Sequence, residues 1–406
     1  MVYLVLGLIL SKYFKDIWTK NEISYMAMKI GMNVSRLSGQ RLGVGRYLEY
    51  MLKCWSRMLV PGEEVHAYLR NDVPSESVSH LNLSPSIELR KVGPKLPGLL
   101  WENFSLPLEA RNVDAFFGPS YSLPLLVPMS CKRVVATHSV NEVQPGAHES
   151  WADLAHAKWN ELSARSADAV IVPCNSTADL VTNRYGVPRK KIVIIPQGAD
   201  ETFRPLDDPN LVRQTRIDFV GEDVPYILFV GKLSIRRNIP NLIAAFARVK
   251  KANRLPHKLL LVGPNHRGLP LARICSELGV SSDVVQTDGK FAHHEELIRI
   301  YNGAELFVHP SWFEGWSMTT VEALACGTAT IAADRGGLGD VARGRAYMIK
   351  EPTIEALQTA LEKVLLNKDF RQELKQLARK PVSGLTWEDT TRQTLDVIRN
   401  VANGLS

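Results

Sequence analysis

Leu306-Phe307-Val308-His309-Pro310-Ser311-Trp312-Phe313-Glu314-Gly315-Trp316-Ser317-Met318-Thr319-Thr320-Val321-Glu322-Ala323-Leu324-Ala325-Cys326-Gly327 is the stretch that decides the fold. Leu306–His309 is a short apolar run closed by a proline, the pattern of a buried strand. Gly327 is a helix stop. Ser317 or Thr319 can cap a helix that runs to about Cys326. Strand, turn and helix therefore follow one another directly, with Glu314 and Gly315 in the turn and Glu322 inside the helix. Eight residues of helix would set the two glutamates about 12 Å apart, with an offset of about 80°. A facing acid and base need carboxyl groups about 5–10 Å apart. The pair thus holds two parts of one extended ligand, or the helix is an ordinary amphipathic one with an exposed Glu; spacing leaves both open. The N–H groups of Gly315, Trp316 and Ser317 lie at a helix N-terminus, which suits phosphate or hydroxyl oxygens.

The same alternation runs outward in both directions. Strand patterns occur at Lys29–Val34, Ala115–Phe117, Arg133–Thr137, Ala169–Val172, Ile192–Ile195, Tyr226–Val230, Leu259–Val262 and Thr330–Ala333. Helical spacing joins Tyr47, Met51, Cys54, Trp55 and Met58, then Leu242, Ala245, Phe246 and Val249, then Leu357, Leu361, Val364 and Leu365. Strands alternating with helices give an α/β fold with parallel sheets. The polar stretch around 206–225 reads as a linker. It leaves two halves that can each bury a core, and a ligand crevice is expected between them.

The chain has 406 residues, 45% hydrophobic and 22% charged, which excludes a largely disordered protein. Its formal charge of +7 asks for an anionic partner without choosing one. Cys54, Cys131, Cys174, Cys275 and Cys326 contain no C-x-x-C pair. They read as buried free thiols in a reducing compartment. Met1–Leu10, MVYLVLGLIL, is apolar but about half the length that crosses a bilayer. It reads as a loosely packed extension, with a weak membrane-surface anchor as the alternative.

Three further clusters carry chemistry. Gly43 and Gly45 precede a helix and let backbone approach a bulky ligand, or they form a plain turn. Arg236 and Arg237 follow a strand and precede a helix, with Lys232 nearby; they suit a diphosphate, or they are solvated surface charge. His138 closes the strand Val134–Thr137 and is a site residue or a satisfied core histidine. The other nine histidines, His293 and His294 included, read as surface or core. Basic and aromatic residues are not interleaved as in nucleic-acid modules, so no nucleic acid is expected.

Taken in order, these segments resemble the family 4 retaining glycosyltransferases, also called glycosyl transferases group 1. The Glu-x7-Glu from Glu314 to Glu322 has company in Gly43-Val44-Gly45-Arg46-Tyr47, Ala136-Thr137-His138, Arg184-Tyr185-Gly186-Val187-Pro188, Ile195-Pro196-Gln197-Gly198-Ala199-Asp200, Phe229-Val230-Gly231 with Arg236-Arg237-Asn238, Leu261-Val262-Gly263 and Thr386-Trp387-Glu388. The resemblance implies the GT-B fold: two Rossmann-like domains with parallel sheets facing an interdomain cleft. The domains would be 26–205 for the acceptor and 226–385 for the nucleotide sugar. They would be joined by 206–225, preceded by the extension 1–25 and followed by a helix in 386–406 that returns to the first domain.

The resemblance implies transfer of a sugar, with retention and without a metal, from a GDP- or UDP-sugar to a hydroxyl acceptor in cell-surface polysaccharide, lipopolysaccharide or glycolipid synthesis. Glu314, His138 and Arg237 would be catalytic. Gly45, Lys232, Gly315, Trp316, Ser317 and Glu322 would bind the donor, with Glu322 on the ribose and no other cofactor. No Asp-x-Asp, the mark of the metal-dependent alternative, occurs in the chain. Ser139 and Ser317 depart from the family's Asp and Gly. They keep a second reading open, a non-catalytic subunit that binds sugar nucleotides. The resemblance also implies a glycan or lipid-linked acceptor and a cytoplasmic, mannosyltransferase-like enzyme in peripheral contact with the inner membrane face. Arg90, Lys91 and Lys95 with Leu96–Trp101 form a candidate surface for that contact, or a loop around a buried Trp101.

Overall fold

The computed structural model of the protein describes residues 28–38, 43–94, 96, 98–124, 131–140, 151–265, 268–287, 294–379 and 385–405. The extension 1–25, Lys95 and His293 lie outside them. Thirteen strands among these residues form two sheets. The first contains β1 (Met28–Asn33), β2 (Glu63–Arg70), β3 (Ile87–Val92), β4 (Ala115–Gly118), β5 (Lys132–Ala136), β6 (Ala169–Val172) and β7 (Ile192–Ile194), in the order β3-β2-β1-β4-β5-β6-β7. The second contains β8 (Tyr226–Val230), β9 (Lys258–Val262), β10 (Val284–Gln286), β11 (Leu306–His309), β12 (Thr330–Ala333) and β13 (Tyr347–Ile349), in the order β10-β9-β8-β11-β12-β13. The described registers are parallel, as the alternating pattern predicts. The expected α/β class with two parallel sheets is therefore observed. The helices that matter below are α1 (Val44–Met58), α2 (Asn175–Tyr185), α3 (Ile239–Asn253), α4 (Met318–Ala325), α5 (Gly336–Ala342) and α6 (Trp387–Ala402).

The stretch read as a linker is mostly a helix, Pro209–Val220. Asp208 caps it by accepting from the N–H groups of Asn210 and Leu211, and Pro209 supplies a preset φ at the first position. The two sheets lie on either side of this helix in sequence. By packing, the chain divides elsewhere. One compact unit holds the residues up to Pro119, Leu123–Val134 and Ile398 onward; the other holds Ser120–Ser122 and Val135–Val397.

In the first unit α1 turns Tyr47, Leu48, Met51, Leu52, Cys54 and Trp55 inward, the face that its spacing predicts. Trp101 is buried and donates its indole N–H to the Val92 carbonyl at 2.9 Å. On the same helical run Leu100, Phe104 and Leu108 are 47%, 59% and 59% exposed. Arg399, near the end of α6, forms a forked pair with the buried Glu63 (Nε–Oε1 2.8 Å, Nη2–Oε2 2.8 Å).

In the second unit the residues of β8 alternate between two cores. Ile227 and Phe229 pack with Leu242, Phe246, Leu259 and Leu261, whereas Tyr226, Leu228 and Val230 pack with Leu260, Val262, Tyr301 and Phe307. Both faces are covered, which is why the strand reads as a continuous apolar run. Each such side chain contributes roughly 1.5–3 kcal/mol by burial. Two quoted motifs also meet here. Thr390 Oγ1 on α6 donates to the Pro196 carbonyl at 2.7 Å and accepts from the Gly198 N–H at 3.2 Å. All five cysteines are buried and free, as expected. No helix among the described residues is long and apolar enough to cross a membrane.

Candidate active site

The strand β11 ends at His309, and five residues later the chain turns at Glu314 before entering α4. Ser317 is the cap: it adopts an extended backbone and its Oγ accepts from the Thr320 N–H. This resolves the choice between Ser317 and Thr319, because only the residue just outside the helix can aim its side chain at the free N–H groups. The Ser317 hydroxyl also lies 2.9 Å from His309 Nδ1 and 2.8 Å from Thr320 Oγ1, and Thr320 Oγ1 is 2.9 Å from the same ring nitrogen.

Glu314 is 8% exposed and collects positive charge on one oxygen. Its Oε1 lies 3.1 Å from Arg236 Nη1, 3.2 Å from Arg237 Nε and 3.6 Å from His309 Nε2, and it accepts from Ser311 Oγ at 3.3 Å. Burial by itself pushes the carboxyl pKa up. The Arg237 charge, then the facing His309 imidazole and Arg236, outweigh that and hold it well below the usual carboxylate range. His309 is 1% exposed, and burial pushes its pKa down, so the ring is neutral at pH 7. Arg236 is further fixed by its Nη1 donating to the Phe313 carbonyl at 2.6 Å.

Arg237 reaches the carboxylate because Gly231 directly follows β8. A Cβ at Gly231 would collide with Arg237 Nη1, and the residue sits at φ 147°, where side chains are strained. The turn itself is seated on backbone. A Cβ at Gly315 would run into the His138 carbonyl and Ser139. The Gly315 carbonyl accepts from Thr177 Oγ1 at 3.0 Å and Cys174 Sγ at 3.1 Å, at the start of α2. Burial pushes the Cys174 thiol up to about 11, so it serves as a donor and not as a nucleophile. The Gly337 N–H, at the start of α5, donates to the Glu314 carbonyl at 2.8 Å.

The Trp316 indole N–H donates to the Gln197 carbonyl at 3.1 Å, and the Gln197 amide nitrogen is 2.6 Å from His138 Nδ1. An amide nitrogen only donates, so Nδ1 is the acceptor in this contact. The Tyr121 ring meets His138 edge-on at 5.2 Å. Glu322, 2% exposed inside α4, accepts from the Tyr301 hydroxyl at 3.0 Å. Among the described residues no three His, Cys, Asp or Glu side chains group closely enough to hold a metal ion.

Sequence profiles match most of the chain: Glycosyltransferase Family 4 over residues 42–203 and Glycosyl transferases group 1 over residues 214–381. The chain is a family 4 (group 1) glycosyltransferase by sequence. It is 27% identical over 249 residues to an uncharacterized glycosyltransferase of Methanocaldococcus jannaschii, covering 59% of this chain and 61% of that protein. It is 29% identical over 245 residues to the D-inositol 3-phosphate glycosyltransferase of Rhodococcus erythropolis, with coverages of 58% and 54%. A serotype-specific mannosyltransferase of Escherichia coli matches at 26% over 232 residues, 57% of this chain and 28% of that protein. The chain therefore spans from about a quarter to three fifths of the length of these relatives. In fold it resembles the sucrose-phosphate synthase of Thermosynechococcus elongatus (TM-score 0.72, 19% identity, 93% of this chain and 100% of that one). It also resembles Anabaena HepE solved with UDP and glucose (TM-score 0.70, 17% identity, 91% and 99%). Both expectations, family and GT-B architecture, hold.

Within the second unit of this group 1 chain, Glu314 and Arg237 touch, Gly315 packs on His138, and Trp316 reaches His138 through Gln197. Ser317 caps α4, and Glu322 lies on that helix. Lys232 follows β8, one residue after Gly231. Gly45 belongs to the first unit, in the first turn of α1. Sequence reasoning did not single out His309, Ser311, Thr320, Gln197 or Gly337 as site residues. His309 is core by burial, as read, yet both its nitrogens face the site. The run Arg335-Gly336-Gly337-Leu338-Gly339 after β12 carried a signal for Gly337, since paired glycines opening a helix mark close backbone approach.

Proposed function

We propose that this chain transfers a sugar from a GDP- or UDP-sugar to a hydroxyl acceptor, with retention at the anomeric carbon and without a metal ion. The observation that carries the reading is the buried Glu314 carboxylate beside Arg237 and Arg236, directly before the N-terminus of α4. Glu314 accepts hydrogen bonds from sugar hydroxyls, and the N–H groups of Gly315, Trp316 and Ser317 hold its oxygens. Arg237, with Lys232, neutralises the departing diphosphate, the electrostatic contribution that dominates such a step. The leaving phosphate oxygen takes the acceptor's proton on the face it vacates. The bond to the acceptor forms there as the anomeric C–O bond to phosphate breaks. His138 lines the reacting centre, and Glu322 holds the ribose. A hexosyl donor is favoured; the name of the Escherichia coli relative points to mannose.

Nucleotide sugars screened by thermal shift identify the donor, because a ligand that binds the native state raises Tm in proportion to its concentration over Kd. Turnover with that donor should persist in excess chelator and fall at least a hundredfold in Glu314→Ala. Equal inactivity of wild type and variant across a wide acceptor panel supports the non-catalytic subunit instead.

We also propose that the first unit meets an anionic membrane face, where a lipid-linked acceptor in polysaccharide, lipopolysaccharide or glycolipid synthesis would lie. Leu100, Phe104 and Leu108 support this as an exposed apolar stripe at helical spacing, and Arg111 is exposed at its end. Arg90 is already paired with Glu88 at 2.5 Å, so it is a weaker contributor than sequence suggests. Co-sedimentation with anionic vesicles that survives Leu100→Ser, Phe104→Ser and Leu108→Ser together excludes this surface.

A further inference from the structure

We infer that His309 is a positioning residue: Ser317 and Thr320 fix it in one tautomer so that its Nε2–H faces Glu314 and holds that carboxylate where the donor sugar meets it. The inference rests on the reading of Glu314 as the sugar-holding carboxylate. It begins with hydrogen accounting. His309 Nδ1, Ser317 Oγ and Thr320 Oγ1 form a closed triangle with sides of 2.9, 2.9 and 2.8 Å. Ser317 Oγ already accepts from the Thr320 N–H. If Nδ1 accepts, one hydroxyl donates to the ring, and the other donates to its partner or, from Ser317, to Thr319 Oγ1 at 3.4 Å. The other nitrogen then carries the proton and faces Glu314 Oε1 at 3.6 Å.

The opposite tautomer would aim a lone pair at a buried anion, with no compensating donor described on that nitrogen. A charged ring is disfavoured as well. It would be buried with Arg236 and Arg237 facing the same oxygen, and Glu314 is the acidic group there. The ring plane is set from its sides: Phe229 and Phe307 meet it edge-on at 5.8 and 6.0 Å. These two rings and the two hydroxyls surround the imidazole. At 3.6 Å the contact is longer than a full hydrogen bond. It steers the carboxylate, and it closes to a full bond if Glu314 moves by a few tenths of an ångström.

This assigns a purpose to Ser317. Glycine at that position would leave Thr320 alone to orient the ring and would lose the cap. The serine supplies cap and tautomer lock with one oxygen.

The test uses the full chain, the donor found by thermal shift, and three variants. His309→Leu keeps an apolar core side chain of similar size. His309→Gln returns an N–H near the position of Nε2. Thr320→Val with Ser317→Ala removes the lock while leaving the ring. The expected result is a kcat with His309→Leu roughly tenfold below wild type, as for loss of one oriented contact, with donor KM changed less than kcat. His309→Gln should recover most of kcat. The lock variant should fall between. A His309→Leu enzyme with wild-type kcat overturns the inference. So does a loss that tracks Tm and is not recovered by His309→Gln. If wild type neither binds nor turns over any donor, the parent reading falls and the inference with it; wild-type turnover with an unchanged kcat in His309→Leu sinks the inference alone.

Discussion

Replacing Glu314 by Gln keeps shape and removes one charge from a buried cluster. At 3.2 Å and an effective dielectric near 20, the attraction between Arg237 and Glu314 is about 5 kcal/mol. Desolvation of both ions offsets most of that in the intact protein, so the pair itself is near neutral for stability. The variant is different, because Arg237 stays largely buried with its partner gone. Breaking a buried pair on one side costs about 3–5 kcal/mol. Arg236 is 35% exposed, so water screens its share to about 1 kcal/mol or less. Glu314→Gln should thus lower Tm by roughly 6–20 °C, taking about 2–4 °C per kcal/mol. Arg237→Met should also be destabilising. The double variant should lose less than the sum, with a coupling of at least about 2 kcal/mol. The pH dependence has a definite sign. A carboxyl held low in the folded state contributes stability above its unfolded pKa of about 4.3 and loses it as pH falls toward the folded value. The wild-type advantage over Glu314→Gln should therefore shrink between pH 6 and pH 3. Additive single effects, or an advantage that stays constant over that range, would refute the reasoning.

Gly231→Ala places a methyl where Arg237 Nη1 sits, at a strained φ. Donor kcat/KM should fall at least tenfold with the far-UV circular dichroism spectrum unchanged. Arg399→Met leaves Glu63 buried without its forked partner, so it should destabilise by about 3 kcal/mol or more. The Glu63→Gln/Arg399→Met double variant should be less destabilised than Arg399→Met alone, as read from thermal denaturation. The five cysteines are buried, and burial pushes Cys174 and Cys326 up in pKa. Mass spectrometry after iodoacetamide at pH 8 should show no adducts in the native protein and five after unfolding.

Most central strands were legible because burial on two faces imposes a local apolar run. Tyr226–Val230, Leu306–His309, Ala169–Val172 and Thr330–Ala333 have the same bounds in sequence pattern and in structure. The overlooked strands β3, β10 and β13 are edges of their sheets, where one side lacks a neighbour and the apolar signal thins. Strand β2 is interior, but Glu63, Glu64, His66 and Arg70 interrupt its apolar pattern. The helix at Pro209–Val220 was hidden by the turn-like Asp207-Asp208-Pro209, which are cap and first-turn residues as much as breakers.

The sequence by itself determined the α/β class, the family through its ordered motifs, and the turn that bears Glu314, because each depends on residues close together along the chain. Tertiary structure decided what those residues touch. Arg236 meets the Phe313 carbonyl across 77 positions, and Cys174 meets the Gly315 carbonyl across 141. His309 looked like one more apolar-strand residue until packing brought Ser317, Thr320 and Glu314 to its two nitrogens. Periodicity records which face of an element is dry, whereas the charge state and direction of a side chain depend on neighbours that only folding supplies.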